Sequence, residues 1–370
     1  MRRMTWRERI IKIFQRERVD RIVWQPRIEH WYRYHKKRGS LPPEYKNASI
    51  LDIYDDLEAS VRYYGGPFIK RKYDKSIRIK TEDTPSYRIT TLETPLGTLR
   101  EVMEYAEYRT SSHRREYFIK DRRDIRIMEY VLEGLEYEFD EEAFEKAEEE
   151  IGDRGVTQFF YERSPFQRLI VEYMGFEATI YAFQDYPETM EKFLRVMEKA
   201  DDRLYEVLVQ CPVKILNFGE NIDSCLDSPI FFERYLLPYY EKRVRQLHQA
   251  GKFCHIHLDG SLKPLLPLLK ENRAGFDGYE ACTPIPQGDV TLEELKDTLG
   301  EEIILLDGLP AILFLPAYST KDLEEFTYKL LNLFSPRLIL GISDELPPLG
   351  DIQKVRLVSR IVRDFSLTLE

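Results

Sequence analysis

The chain is short of cysteine, of unbroken apolar runs and of positive charge. Its 370 residues include four cysteines, Cys211, Cys225, Cys254 and Cys282, with no CxxC pair among them. That spacing excludes a disulfide framework and fits reduced thiols in a cytoplasmic protein. No segment reaches the roughly 18 consecutive apolar residues of a membrane span. The opening, Met1-Arg2-Arg3-Met4-Thr5-Trp6-Arg7, runs into an amphipathic helix pattern and not an apolar secretion signal. Lys and Arg total 55 against 65 Asp and Glu, a net charge of −10, which argues against bulk nucleic-acid binding. The basic clusters Lys36-Lys37-Arg38, Lys70-Arg71-Lys72 and Arg114-Arg115 are short, have acids nearby and read as solvated surface. There is no internal repeat, low-complexity tract or Pro/Gly/Ser linker. No Gly-rich phosphate loop follows a strand-like run, and no GxSxG elbow occurs.

What is present is enough apolar content to build a core. Hydrophobic residues make up 43%, aromatics 13% and charged residues 32%, which excludes wholesale disorder. The length suits two ordinary domains or one large α/β barrel with additions. Residues 75–120 alternate and are rich in turns, as in Ser76-Ile77-Arg78-Ile79-Lys80, Tyr87-Arg88-Ile89-Thr90 and Glu93-Thr94-Pro95-Leu96-Gly97, and read as antiparallel strands. Residues 141–150 form an acidic helix pattern.

From about residue 155 the rhythm changes. Short β-branched or aromatic runs (156–161, 179–183, 213–218, 252–258, 275–281, 303–306 and 338–342) alternate with helical stretches. With Arg21–Gln25 near the start they give eight strands in parallel βαβ units, the pattern of a (β/α)8 TIM barrel. The expectation is one barrel domain over 1–370, opened by an N-terminal helical segment. It carries a β-rich antiparallel insertion after the first strand, at about 65–125, and regular βα units over about 155–370.

In such barrels the chemistry sits where the strands end. The run 213–219 ends in Glu220, Phe253–Leu258 in Asp259, Phe276–Tyr279 in Glu280, Ile303–Leu306 in Asp307, and Leu338–Ile342 in Ser343-Asp344-Glu345. Strand alternation puts His255, His257 and Asp259 on one face. Imidazole and carboxylates converging from different strands suit a divalent metal, zinc above all. The plainer readings are that an acid after a strand caps the next helix, as Asp259 can before Gly260-Ser261, and that a strand histidine is a hydrogen-bonded core residue. Capping alone does not explain acids recurring on five strands.

Several segments carry a family resemblance. Thr5-Trp6-Arg7-Glu8-Arg9 with Val19-Asp20-Arg21-Ile22-Val23 is similar to a family opening, and Thr94-Pro95-Leu96-Gly97-Thr98 to its "TPxGT" segment. Gly219-Glu220-Asn221, Ser228-Pro229 and Pro238-Tyr239-Tyr240 follow its "GDD…SP…PYY" pattern. His257-Leu258-Asp259-Gly260 resembles its "HxCG" metal motif with Asp for Cys, and Thr283-Pro284-Ile285-Pro286-Gln287-Gly288-Asp289 its "TPxPxGD" turn. On these residues the chain resembles the uroporphyrinogen decarboxylase superfamily, in its corrinoid-linked methyltransferase branch.

The resemblance implies a TIM barrel holding one zinc. His257 matches the family's His ligand and Asp259 its first Cys. Glu280 falls where related methionine synthases use a Glu, and Asp344 lies near the place of a later Cys that this chain lacks. A ligand set of His and carboxylates is harder than one with thiolates and favours oxygen. That shifts the expectation from thiol methylation to cleavage of a methyl ether, with the methyl passing to the Co(I) corrinoid of a partner protein, because no DxHxxG cobalamin signature occurs here. Glu220 would be a ligand or an acid orienting donor or leaving group. Trp24, Trp31, Tyr32, Phe183 and Tyr279 would line an arene pocket, with Arg27 and Asp307 as further substrate contacts. The alternatives are a methylcobamide:thiol methyltransferase, a metal-free decarboxylase like the family's parent, and a binding module without turnover. Neither a nucleic-acid nor a membrane partner is expected.

Overall fold

The computed structural model describes residues 3–366. The chain forms two compact units, one from residues up to 66, 141–161 and 213 onward, the other from 67–140 and 162–212.

The first unit is built on eight parallel strands: β1 (Val23–Trp24), β2 (Val61–Tyr63), β3 (Gly155–Gln158), β4 (Ile215–Ile222), β5 (Phe253–Leu258), β6 (Gly278–Ala281), β7 (Ile304–Pro310) and β8 (Leu338–Ser343). Six of them form one ladder in the order β1-β8-β7-β6-β5-β4, and β2 pairs with β3 in a second. Single backbone contacts link the two ladders at two seams, the first reinforced by the Gln25 side chain, which donates to Ser60 Oγ and Val61 O. The Ser60 N–H donates to Trp24 O at 2.8 Å, and Phe160 bridges to Asn217. The result is a barrel-like ring whose ladder is interrupted at those seams. Every residue of β7 and β8 is buried, as expected of parallel strands covered on both faces.

The first helix, Trp6–Phe14, starts at a capping box in which Glu8 N–H donates to Thr5 Oγ1 and Thr5 N–H to Glu8 Oε2. Its Ile10, Ile13 and Phe14 pack with Val23, Val156, Ile215, Ile304 and Ile339, which lie at or near the N-terminal ends of their strands. That end of the ring is therefore closed by apolar packing, and the polar groups gather toward the other.

Two sequence expectations need correction. Residues 179–183 are not a strand but lie inside the helix Phe176–Asp185. The β-branched and aromatic content was misleading there. Thr179 is accommodated by donating its hydroxyl to Gly175 O at 2.7 Å, one turn back. The missing eighth strand is β2, so the antiparallel stretch follows the second parallel strand, not the first.

In the second unit, Arg78–Asp83, Tyr87–Thr94, Gly97–Tyr105 and Ser112–Glu116 form a four-stranded antiparallel sheet, and Ile69–Tyr73 pairs antiparallel with Leu135–Phe139. The helices Arg122–Glu133 and Pro187–Gln210 belong to the same unit. Among the described residues no helix is long and apolar enough to cross a membrane.

Candidate active site

Non-glycine residues take left-handed backbone at several strand ends: Asn221 (φ 57°) in β4, Ala281 and Cys282 (67° and 44°) at β6, Asp307 (79°) in β7 and Asp344 (69°) just after β8. Each costs on the order of 1–3 kcal/mol and persists only where the surroundings impose it, a pattern that collects at functional sites.

The centre of this end is Arg62 of β2, 1% exposed. Its Nη1 donates to Glu280 Oε1 at 2.6 Å and to Asp307 Oδ2 at 3.1 Å, its Nη2 to Asp307 Oδ1 at 2.9 Å, and its Nε to Gln25 Oε1 at 2.7 Å. Strand β2 is not adjacent to β6 or β7, so these side chains meet across the inside of the ring. Tyr63 donates its hydroxyl to Glu280 at 2.8 Å and accepts from Asn217 Nδ2 at 2.6 Å. Two imidazoles on β5 flank the same carboxylate: His257 Nδ1 lies 3.3 Å and His255 Nδ1 3.5 Å from Glu280 Oε2. Neither Nδ1 makes an aligned hydrogen bond. His255 Nε2 faces Gln158 Oε1 at 2.6 Å.

Nearer the mouth, the Arg27 guanidinium lies 3.9 Å from Glu280, 3.3 Å from Asp344 and 3.4 Å from Glu345. It also covers the rings of Tyr63 and Phe160, which lie 4.4 Å apart. Gly219 makes room for Phe160, since a Cβ there would come within 2.6 Å of the ring.

These contacts set the protonation states. Burial alone would raise Glu280, but Arg62 and the imidazoles outweigh it and hold the carboxyl well below the usual range. Burial would lower His257, but Glu280 outweighs it and raises this imidazole, favouring the charged form. His255 is pushed down to about 3, mainly by burial, and is neutral. Asp307 rises to about 6, by burial and by Glu280 acting against Arg62. The arrangement is thus a buried imidazole biased toward its charged form, paired with an ionised carboxylate, and an arginine bridging that carboxylate to a second acid, with β5, β6, β2 and β7 supplying one group each.

Of the residues singled out in the sequence, the structure brings together His257, Glu280, Arg27, Asp307 and Asp344. Glu220 is buried in β4. Among the described residues no hydrogen bond or ion pair joins Asp259 to His257 or Glu280; its Oδ1 accepts from the Gly260 N–H at 2.8 Å. Trp24 and Tyr279 face the helices instead of the mouth: the Trp24 indole donates to Ser359 Oγ at 3.0 Å, and Tyr279 donates its hydroxyl to Leu269 O at 2.7 Å. Trp31 is buried in the helix Glu29–Arg38 against His35, where Tyr32 is buried too. Phe183 belongs to the second unit and packs near Phe166. Sequence reasoning missed Arg62, Tyr63, Gln25, Asn217 and Gln158. The one signal for Arg62 was Val61-Arg62-Tyr63 closing on Gly65-Gly66, a three-residue strand too short to show a period.

The implied zinc can be tested on these donors. Two ligands of one tetrahedral zinc, each bound at about 2.0–2.2 Å, lie roughly 3.3 Å apart, the spacing of His257 Nδ1 and Glu280 Oε2. A catalytic zinc takes three protein ligands, however, and although His255 Nδ1 also lies 3.5 Å from Glu280 Oε2, no third donor comes close to both atoms of this pair among the described residues. Arg62 and Arg27 also put positive charge on Glu280 where a dication would sit. The residues present do not complete a zinc site.

No family model and no curated protein matches the chain. Among solved structures it is similar to a methyltransferase from Methanosarcina mazei, at 13% identity over 98% of this chain and 99% of that one, with a TM-score of 0.61. It also aligns with a B12-independent methionine synthase from Shewanella sp. W3-18-1, at 10% identity over 89% and 92% of the two chains, with a TM-score of 0.43. The first likeness shows the fold; the second is too distant to add to it.

Proposed function

We propose that this protein is a methyltransferase that takes a methyl group from a methoxylated aromatic compound and passes it to the Co(I) corrinoid of a partner protein. The reading is supported by the family resemblance of the sequence, the barrel-like fold, and above all the buried His257–Glu280 pair where the strands end. The corrinoid supplies a low-valent cobalt nucleophile for the methyl carbon. What this chain must then do is accommodate charge on the oxygen that keeps the bonding electrons. An imidazolium held charged by Glu280 can deliver a proton to that oxygen, so the donor leaves as a neutral phenol and His257 is left neutral. Arg62 keeps Glu280 ionised and fixed in place. Tyr63 and Phe160, under Arg27, offer ring faces for an arene. Arg27 and Arg62 are each engaged by two or more carboxylates, which leaves them poor anchors for a polycarboxylate and weighs against decarboxylation.

The test is methylation of free cob(I)alamin over a panel of methoxyarenes, methanol and methylamines. Turnover with methoxyarenes is expected, falling about 10²–10⁴-fold in His257→Gln, the usual worth of a positioned general acid. Full activity in that variant, or methylation only of a thiol from methylcobalamin, would overturn the reading. So would one equivalent of zinc that His257→Gln strips from the protein, because zinc would then be handling the leaving oxygen.

A further inference from the structure

At the opposite ends of the same strands lies a second group of ligand-type side chains, used by nothing described so far. Cys254 is the second residue of β5, Asp277 immediately precedes β6, and His248 is in the last turn of the helix Leu237–Gln249. His248 Nε2 is 3.0 Å from Asp277 Oδ2 and 3.6 Å from Cys254 Sγ. One donor atom from each of the three lies within 4.8 Å of the others, and among the described residues no other three His, Cys, Asp or Glu gather in this way.

We propose that His248, Cys254 and Asp277 form a site for one zinc-like divalent cation. The spacing carries the argument. With Zn–S about 2.3 Å, Zn–N about 2.0–2.1 Å and Zn–O about 2.0–2.2 Å, a tetrahedral site places S and N roughly 3.6 Å apart and N and O roughly 3.4 Å apart. The first matches the Sγ···Nε2 distance, and the second needs a few tenths of an ångström of relaxation. The ligands are also held in place. Asp277 Oδ2 accepts the Cys254 N–H at 2.8 Å, and the Asp277 N–H donates to Cys254 O at 2.9 Å, so the two backbones lock each other and the carboxylate is oriented before any ion arrives. Cys254 is buried, whereas the His248 side chain is 37% exposed. The ion therefore enters from solvent on the histidine side, where its fourth position stays open to water. On binding, the Sγ–H bond breaks, the thiolate electron pair goes to the cation and the proton goes to solvent; neutral His248 donates through Nε2, and no oxidant or reductant takes part. A soft thiolate with imidazole and carboxylate selects zinc over magnesium or calcium. The ion would pin the end of that helix to the starts of two strands.

The plainer account is that His248 and Asp277 are a surface ion pair at a helix C-terminus beside an inert thiol. Titration of the full metal-stripped chain with Co²⁺ separates the two. A thiolate-to-cobalt charge-transfer band saturating at one equivalent is expected, competed away by Zn²⁺. It should vanish in Cys254→Ser and bind at least roughly tenfold more weakly in His248→Ala, an exposed position where folding is not at stake. Cys225→Ser and His257→Ala should leave it unchanged. Absence of the band, its survival in both Cys254→Ser and His248→Ala, or its loss in Cys225→Ser would overturn the proposal.

Discussion

The two ends of the parallel strands in the first unit are built on opposite principles. At the N-terminal end, Ile10, Ile13 and Phe14 fill the ring with carbon, and their partners are Val23, Val156, Ile215, Ile304 and Ile339. Toward the C-terminal end strands β2, β5, β6 and β7 bury Arg62, His257, Glu280 and Asp307, all at 2% exposure or less. Apolar packing is non-directional and tolerates volume-conserving exchange. A buried ionic cluster is directional, costs desolvation, and is no better for stability than well-packed carbon. The difference teaches where to look: one end is ordinary apolar packing, and at the other the fold carries charge that packing alone does not call for.

The sharpest way to break that contrast is Arg62→Leu. It leaves Glu280 and Asp307 buried without their cation, so a loss of about 3–5 kcal/mol is expected in denaturant unfolding, with activity abolished. Phe14→Ala should cost a similar 3–5 kcal/mol by opening a cavity, yet leave kcat/KM of the remaining folded protein unchanged. Equal activity losses in the two variants would erase the division of labour.

A smaller effect follows from protonation. Asp307 has its proton held up to about 6 in the folded chain against an ordinary 3.8. Between those values the native state keeps a proton that the unfolded state releases. Its stabilising contribution is therefore full below about pH 4 and lost as pH rises through about 6. In Asp307→Asn, the decline of Tm with pH over that window should flatten. His257 works in a higher window than Asp307. Raised above its ordinary 6.5, it supports the fold in its charged form at low pH, and its proton is lost as pH climbs through the folded value. Turnover should fall as that proton is lost. The smallest effect is assigned to Asp259, despite its place in the HxDG motif. Asp259→Asn should change stability within about 0.5 kcal/mol and leave activity near that of the parent.

Much of this end was legible because strand and acid are contiguous in the chain. Glu280, Asp307 and Asp344 each close an apolar run, and i, i+2 alternation correctly paired His255 with His257. The same alternation already held the answer for two aromatics. Tyr279 precedes the inward Glu280, and Trp24 precedes the inward Gln25, so both had to face the helices. Asp259 misled because β5 ends at Leu258, and the alternation stops with it. Arg62 was out of reach for another reason. A three-residue strand has no period, and an arginine between Val61 and Tyr63 reads as surface until strands far away in sequence supply Glu280 and Asp307.

The seams of the ring give the site a kinetic character. Strands β2 and β3 pair with each other over two positions and are joined to β1 and β4 by single backbone contacts, whereas β7 and β8 pair over six positions. Amide exchange should therefore be fastest in β2 and β3 and slowest in β7 and β8. Arg62 and Tyr63 ride on the stave that opens first. The cation that fixes Glu280 is thus mounted on the least tightly stitched part of the ring, while Asp307 sits on β7, one of the most tightly stitched strands, and Glu280 on its neighbour β6, so local breathing of β2 is enough to loosen the site without unfolding the protein.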